Sequence, residues 1–165
     1  MAKTDEGWQL KNAPVMSTGM LIRKPASEVF QALVDPAITT KFWFTKSTGR
    51  LAPGAEVQWT WEMYDVTGNV RVKEFEQDRL LIIEWGPADG NMTTFEVRFD
   101  PHPGDTTFVD IKETGYTGET GDEIVAQALG STGGFSWMLS ALKALLEHDI
   151  ILRVVGDRFP DGKPS

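Results

Sequence analysis

Cysteine is missing from the chain altogether. That excludes a disulfide framework, a thiol nucleophile and a zinc–thiolate site, and it makes the cytoplasm the natural compartment. Histidine is nearly as scarce, with two copies. His102 lies in a Pro-His-Pro-Gly stretch that reads as a surface turn, and His148 ends a long helical run, where a cation suits the negative end of the helix dipole. Neither is placed for acid–base catalysis. No apolar stretch approaches the roughly 20 residues that span a bilayer, and the opening Met-Ala-Lys-Thr-Asp-Glu-Gly-Trp lacks the charged-then-apolar pattern of an export signal. Basic residues number 16 against 24 acidic ones, a net charge of −8 with no Lys/Arg run. Nucleic acid and anionic membrane are therefore not expected partners. The sequence also lacks a His-x-x-x-His pair, a Ser/His/Asp order and a phosphate loop. No cofactor or metal ion is expected, and Thr120-Gly121-Asp122-Glu123 reads as a helix cap rather than a calcium loop.

What the chain does hold is one long helical signal, Asp122 to Asp149. Phe135, Met138, Leu139, Leu142, Leu145 and Leu146 recur at the spacing of a single helix face, with Ser136, Ser140, Lys143 and Glu147 on the other. Burying that stripe is worth on the order of 10 kcal/mol as an upper estimate. Asp122 and Glu123 suit a helix start, where carboxylates accept free backbone N–H groups. Gly130, Gly133 and Gly134 each cost up to about 1 kcal/mol against alanine in a helix interior. Either the helix breaks near them, or they let its backbone approach something closely, a sheet being the obvious neighbour.

Ahead of the helix the pattern changes. Residues 1–14 read as an N-terminal arm with Trp8 as its one large apolar group, residues 15–149 as the domain, and residues 150–165 as an extension packing on it and frayed from Asp161. A first strand is expected over Val15–Arg23. Two short helices follow, one capped by Ser27 with Val29, Phe30 and Leu33 on its apolar face, the other restarting at Pro36 and ending near Phe42-Trp43-Phe44. From Ala55 to Thr114 the period is two, which is the mark of antiparallel strands. Val57, Trp59, Trp61 and Met63 share one phase, as do Val70 and Val72, then Leu81, Ile83 and Trp85, then Phe95, Val97 and Phe99, then Val109 and Ile111. The sheet has one apolar face, and the long helix is expected to cover it.

Several stretches carry a family resemblance. They are Ile22-Arg-Lys-Pro-Ala-Ser-Glu-Val-Phe-Gln-Ala-Leu-Val-Asp-Pro36 with Phe42-Trp43, Leu51-Ala-Pro-Gly54, Gly68-Asn-Val-Arg-Val72 with Arg79-Leu-Leu-Ile-Ile-Glu-Trp85, Asp105 to Tyr116, and Gly134-Phe135 with Leu139 and Leu142. In that order the chain resembles the activator of Hsp90 ATPase homologue family of the START-like polyketide cyclase and lipid-transport superfamily, over roughly residues 15–149. Phe135 stands where that family usually has tryptophan, with Trp137 two residues on. The resemblance implies an α+β helix-grip fold: a curved antiparallel sheet of about seven strands wrapped on a long C-terminal helix, with two short helices after the first strand.

Six tryptophans are present, and Trp59, Trp61 and Trp85 project from strands toward the helix side. An aromatic-lined cavity for an apolar or flat ligand is the functional expectation, with Trp59, Trp61, Met63, Trp85, Phe95, Val97, Ile111, Phe135, Met138 and Leu142 as its lining. Alternation also places Glu113 inward beside Val109 and Ile111, and Glu74 after Val70 and Val72. A buried carboxylate needs partners or takes up a proton, so Glu113 is the expected polar contact of the ligand. For either glutamate the competing reading is a strand end that sees water beyond the core or a bulge. The leading function is thus a non-catalytic carrier or sensor of a small apolar or aromatic molecule. A cyclase, aromatase or hydrolase using Glu113 or Glu74 as acid or base is the second, and a chaperone-interaction module, suggested by the family name, is the last. A homodimer is open, since the apolar stretch after residue 149 can cover its own chain or a neighbour.

Overall fold

The computed structural model describes residues 9–162. Trp8 with most of the expected N-terminal arm, and residues 163–165 of the C-terminal end, lie outside the described residues. The seven strands are β1 (Met16–Ile22), β2 (Lys46–Ser47), β3 (Glu56–Trp61), β4 (Val66–Glu76), β5 (Leu80–Gly86), β6 (Thr93–His102) and β7 (Thr106–Thr114). They form one antiparallel sheet in the order β1-β7-β6-β5-β4-β3-β2. The helices are α1 (Ala26–Val34), α2 (Pro36–Thr39), α3 (Gly121–His148) and α4 (Val154–Asp157).

The short helices follow local chemistry. Pro25, extended at φ −61°, is the residue that starts α1, and it supplies no side-chain cap. Ser27 is inside the helix and exposed, so the expected cap lies two residues past the observed one. Asp35 must be extended because a proline follows it, and its carboxylate accepts from the Ala37 N–H at 3.0 Å, capping α2. α2 stops at Thr39, so Phe42, Trp43 and Phe44 sit in the turns beyond it rather than in a helix. Phe30 of α1 meets Phe75 and Phe99 edge-on at 5.2 and 5.1 Å, which places α1 on the same face of the sheet as α3.

α3 runs unbroken through Gly130, Gly133 and Gly134. Its cap is Thr120, whose Oγ1 accepts from the Glu123 N–H at 3.2 Å, while Glu123 reaches back to the Glu119 N–H at 2.8 Å. Phe135, Met138, Leu139, Leu142 and Leu145 are buried, and Leu146 half-buried. The opposite side is not simply solvated. It lies along edge strand β1, where Ser136 Oγ meets Thr18 Oγ1 at 3.0 Å and Lys143 Nζ donates to the Leu21 carbonyl at 2.7 Å. The helix thereby covers an edge that would otherwise offer unpaired strand groups. Asp149 ends α3 at φ 54°, a left-handed position that aspartate tolerates, and its N–H returns to Leu145 O.

Two departures from strict alternation matter for the site. A bulge between Val72 and Glu74 shifts the β4 register, so Phe75 takes the inward place and Glu74 is exposed. Strand β3 ends at Trp61, and residues 62–64 form a 3-10 turn that carries Met63 outward, 38% exposed, to lie against Gly156. After α3, Ile150, Ile151 and Leu152 are exposed, whereas Val154, Val155 and Phe159 return to the body of the same chain.

Candidate functional site

A cavity of about 610 Å³ opens at one end of the sheet, beneath the first half of α3. The helix sequence explains why the space exists. Beyond residue 134 the sheet-facing positions carry Phe135, Met138 and Leu142, which fill the gap completely. At Gly130 and Gly134 there is no side chain, and a Cβ added at either would meet nothing within 4 Å. The glycines leave a bare helix wall over the cavity instead of pressing the backbone onto the sheet. Gly133 differs, since a Cβ there would come within 3.3 Å of the Trp137 ring.

The walls are aromatic. Trp43, delivered by the turns after α2, packs on Trp59 at 4.9 Å, Trp85 at 5.7 Å and Phe135 at 5.8 Å between ring centroids, and Trp61 lies 6.1 Å from Trp85. Tilted and edge-on contacts of this kind are the favoured aromatic geometries and add to area burial. The outer wall comes from the C-terminal segment. Tyr64 donates its hydroxyl to the Val155 carbonyl and lies within 3.2 Å of that of Gly156, and Phe159 packs between Tyr64 (5.9 Å) and Trp137 (6.5 Å).

Glu113 forms the polar end. It is 2% exposed at the last inward position of β7. Its Oε2 accepts from Trp85 Nε1 and Thr93 Oγ1, both at 2.6 Å, and its Oε1 accepts from the Tyr116 hydroxyl at 2.8 Å and from Ser131 Oγ. Two carboxylate oxygens offer about four lone-pair sites, and all four are taken. Burial, reinforced by the neighbouring Glu113 charge, pushes the Tyr116 phenol well above its ordinary range. The phenol is therefore a fixed donor to Glu113. Every lone-pair site of the carboxylate is thus engaged by a donor of the protein itself.

Of the residues expected to line a cavity, Trp61, Trp85, Phe135 and Glu113 do so. Trp59, Phe95, Val97, Ile111, Met138 and Leu142 are at most 1% exposed and belong to the solid core, because the second half of α3 closes on the sheet there. Met63 is carried away by the 3-10 turn, and Glu74 by the bulge. The cavity thus occupies one end of the sheet–helix gap, not its middle. Trp43, Thr93, Tyr116, Ser131 and Trp137 join the site without having been singled out for it. Ser131 shares a helix face with Gly130 and Gly134, and Tyr116 follows Glu113 by three residues and is one of two tyrosines. Those spacings are the signals that point to them. Trp43 sits in irregular backbone and offers no periodicity to read.

Among the described residues no group of His, Asp and Glu is arranged to hold a metal ion, and no helix is long and apolar enough to cross a membrane. A seven-stranded curved antiparallel sheet gripping a long C-terminal helix, with a cavity between them, defines a START-like helix-grip protein. The chain belongs to the family described as activator of Hsp90 ATPase homolog 1-like protein, whose model matches residues 23–147. Among solved structures it is similar to the protein SSP2350 from Staphylococcus saprophyticus, with 30% identity, 85% of this chain and 96% of that one covered, and a TM-score of 0.71. CalU16 from Micromonospora echinospora shares the fold at 16% identity, with 90% and 83% covered and a TM-score of 0.66. So does the Aha1 dimer from Colwellia psychrerythraea, at 15% identity, with 82% and 97% covered and a TM-score of 0.66. Among curated proteins, none matches the chain.

Proposed function

We propose that the protein is a non-catalytic carrier or sensor, working in the cytoplasm, that holds one small apolar or aromatic molecule beneath the first half of α3. The observation that carries this reading is the unfilled, aromatic-walled cavity of about 610 Å³, within the roughly 300–1,000 Å³ range of ligand pockets. A core that could have closed is kept open by glycines at 130 and 134, each of which is a poor helix residue. The saturated Glu113 supports binding over acid–base chemistry at this position.

Native mass spectrometry of freshly purified protein, beside a Gly134→Leu variant, tests the reading. A small molecule retained by the wild-type chain and lost from the folded variant is the expected result. Equal retention by both would place any ligand elsewhere and overturn it.

A further inference from the structure

The polar end of the cavity has a definite polarity, and we infer that it selects a ligand carrying a hydrogen-bond donor, best of all a protonated amine on an aromatic or apolar body. The inference rests on the cavity being a ligand site. A hydroxyl has one donor hydrogen and two acceptor lone pairs. The hydroxyls of Thr93, Tyr116 and Ser131 all spend their hydrogens on Glu113, at 2.6 and 2.8 Å for the first two, and the Trp85 N–H is spent the same way at 2.6 Å. What these hydroxyls have left to offer a guest is lone pairs.

The amides of the lining lean the same way only in part. Asn91 Nδ2 donates to Thr117 Oγ1 at 2.8 Å and Gln127 Nε2 to the Thr117 carbonyl at 2.7 Å, so each amide keeps its carbonyl oxygen as an acceptor and has spent one of its two N–H donors. Charge points the same way. Glu113 is the one charged side chain among the described lining residues, and no Lys, Arg or His joins it. Arg158 lies over Trp137 and Phe159, at 5.4 and 4.5 Å from their centroids, and is not part of the lining. The indole N–H groups of Trp43, Trp61 and Trp137 are neutral donors of the aromatic lining and do not offset a carboxylate. Aromatic ring faces around an anionic end are the chemistry that holds an organic cation. A carboxylate ligand would meet lone pairs and like charge, with no counter-ion.

Four probes of one shape and ring position separate this inference from the reading beneath it: methylnaphthalene, naphthylmethanol, naphthylmethylamine and naphthoate, titrated calorimetrically at neutral pH. Methylnaphthalene reports the cavity alone. The amine is expected to bind at least about tenfold tighter than naphthoate, the scale of one charge-assisted hydrogen bond gained against one like-charge contact, with the alcohol between them. Naphthoate binding as tightly as the amine, while methylnaphthalene binds, overturns the inference and leaves the cavity reading standing. Binding of none of the four overturns both. In folded Glu113→Gln the amine should lose its advantage over naphthoate while methylnaphthalene is unaffected, and an undiminished advantage would also overturn it. Should that variant not fold, the wild-type series decides.

Discussion

The indole N–H of Trp85 on β5 donates to the carboxylate of Glu113 on β7 across 2.6 Å, reaching over the intervening strand β6. The same carboxylate accepts from Thr93 of β6 and Ser131 of α3, so one buried anion ties four elements together at the cavity end.

Removing that anion strands four donors. Glu113→Ala is expected to cost on the order of 3 kcal/mol, since unpaired buried polar groups are more expensive than the bonds they lose are valuable. Glu113→Gln should fall between alanine and wild type. Its oxygen still serves Trp85 and Thr93, and the hydroxyls of Tyr116 and Ser131 can rotate to accept from its amide. Urea unfolding followed by tryptophan fluorescence gives the ranking, and an alanine variant as stable as wild type would refute it.

Glu113 shows what the sequence could disclose. Strict alternation from Val109 placed it inward, and the same rule recovered Trp61 and Trp85, because the strands that carry them are regular. Alternation failed at Glu74 because one extra residue in β4 reverses the phase, and at Met63 because β3 ends before it. The apolar stripe of α3 announced a buried helix, but periodicity marks where side chains are, not where they are missing. The cavity lies where Gly130 and Gly134 have none, so the apolar stripe marks the filled part of the gap and not the open one. Trp43 reaches the site through turns whose path depends on the finished fold.

Those glycines should be a trade between stability and binding. Gly134→Ala has open space and an ordinary helical backbone, so it is expected to stabilise the protein by about 0.5–1 kcal/mol. Gly133→Ala should gain less, because its Cβ presses on Trp137. Gly134→Leu should lie in the aromatic lining and block methylnaphthalene. Thermal melts and the calorimetric titration check the pair of effects. A leucine variant that binds the probe as well as wild type would count against the cavity as the ligand site.

Glu147 sets an acid limb of stability. Burial pushes its carboxyl up, but the Lys143 ammonium at 2.6 Å and the Arg23 N–H at 3.1 Å outweigh that and hold it below the ordinary 4.5. The folded protein therefore binds this proton more weakly than the unfolded chain. The resulting stability is present in full above the ordinary value and is lost as pH falls through the folded one. Glu147→Gln should be less stable than wild type at neutral pH, with the difference vanishing in strong acid. Denaturation midpoints across pH test this, and a pH-independent difference would contradict it.

Both tyrosines titrate high. Burial is the main cause for each, with the Glu113 charge adding to it at Tyr116 and that of Asp157 at Tyr64. The folded protein holds these protons more tightly than the unfolded chain. Their contribution is complete below the ordinary 10.0 and drains away as pH rises through the folded values. Phenolate absorbance of the native protein should stay low as pH passes 10.0, while the urea-unfolded chain shows a full two-tyrosine step there. A native step at the ordinary value would mean that Tyr116 is not sealed against Glu113.

The C-terminal segment should govern how fast a ligand leaves. Phe159 is half-buried between Tyr64 and Trp137, and Tyr64 fastens Val155 and Gly156 beside it. These contacts lie outside the sheet–helix core, so Phe159→Ala is expected to cost only about 1 kcal/mol of stability, a fraction of a fully buried aromatic's contribution. The same change removes the outer wall of the cavity. Because wall contacts act chiefly on dissociation, stopped-flow release of methylnaphthalene should accelerate several-fold, with association little altered. Tyr64→Phe should act in the same direction and more weakly, since it loosens the segment without deleting a ring. If Phe159→Ala leaves the release rate unchanged, the segment does not gate the cavity and is packing alone.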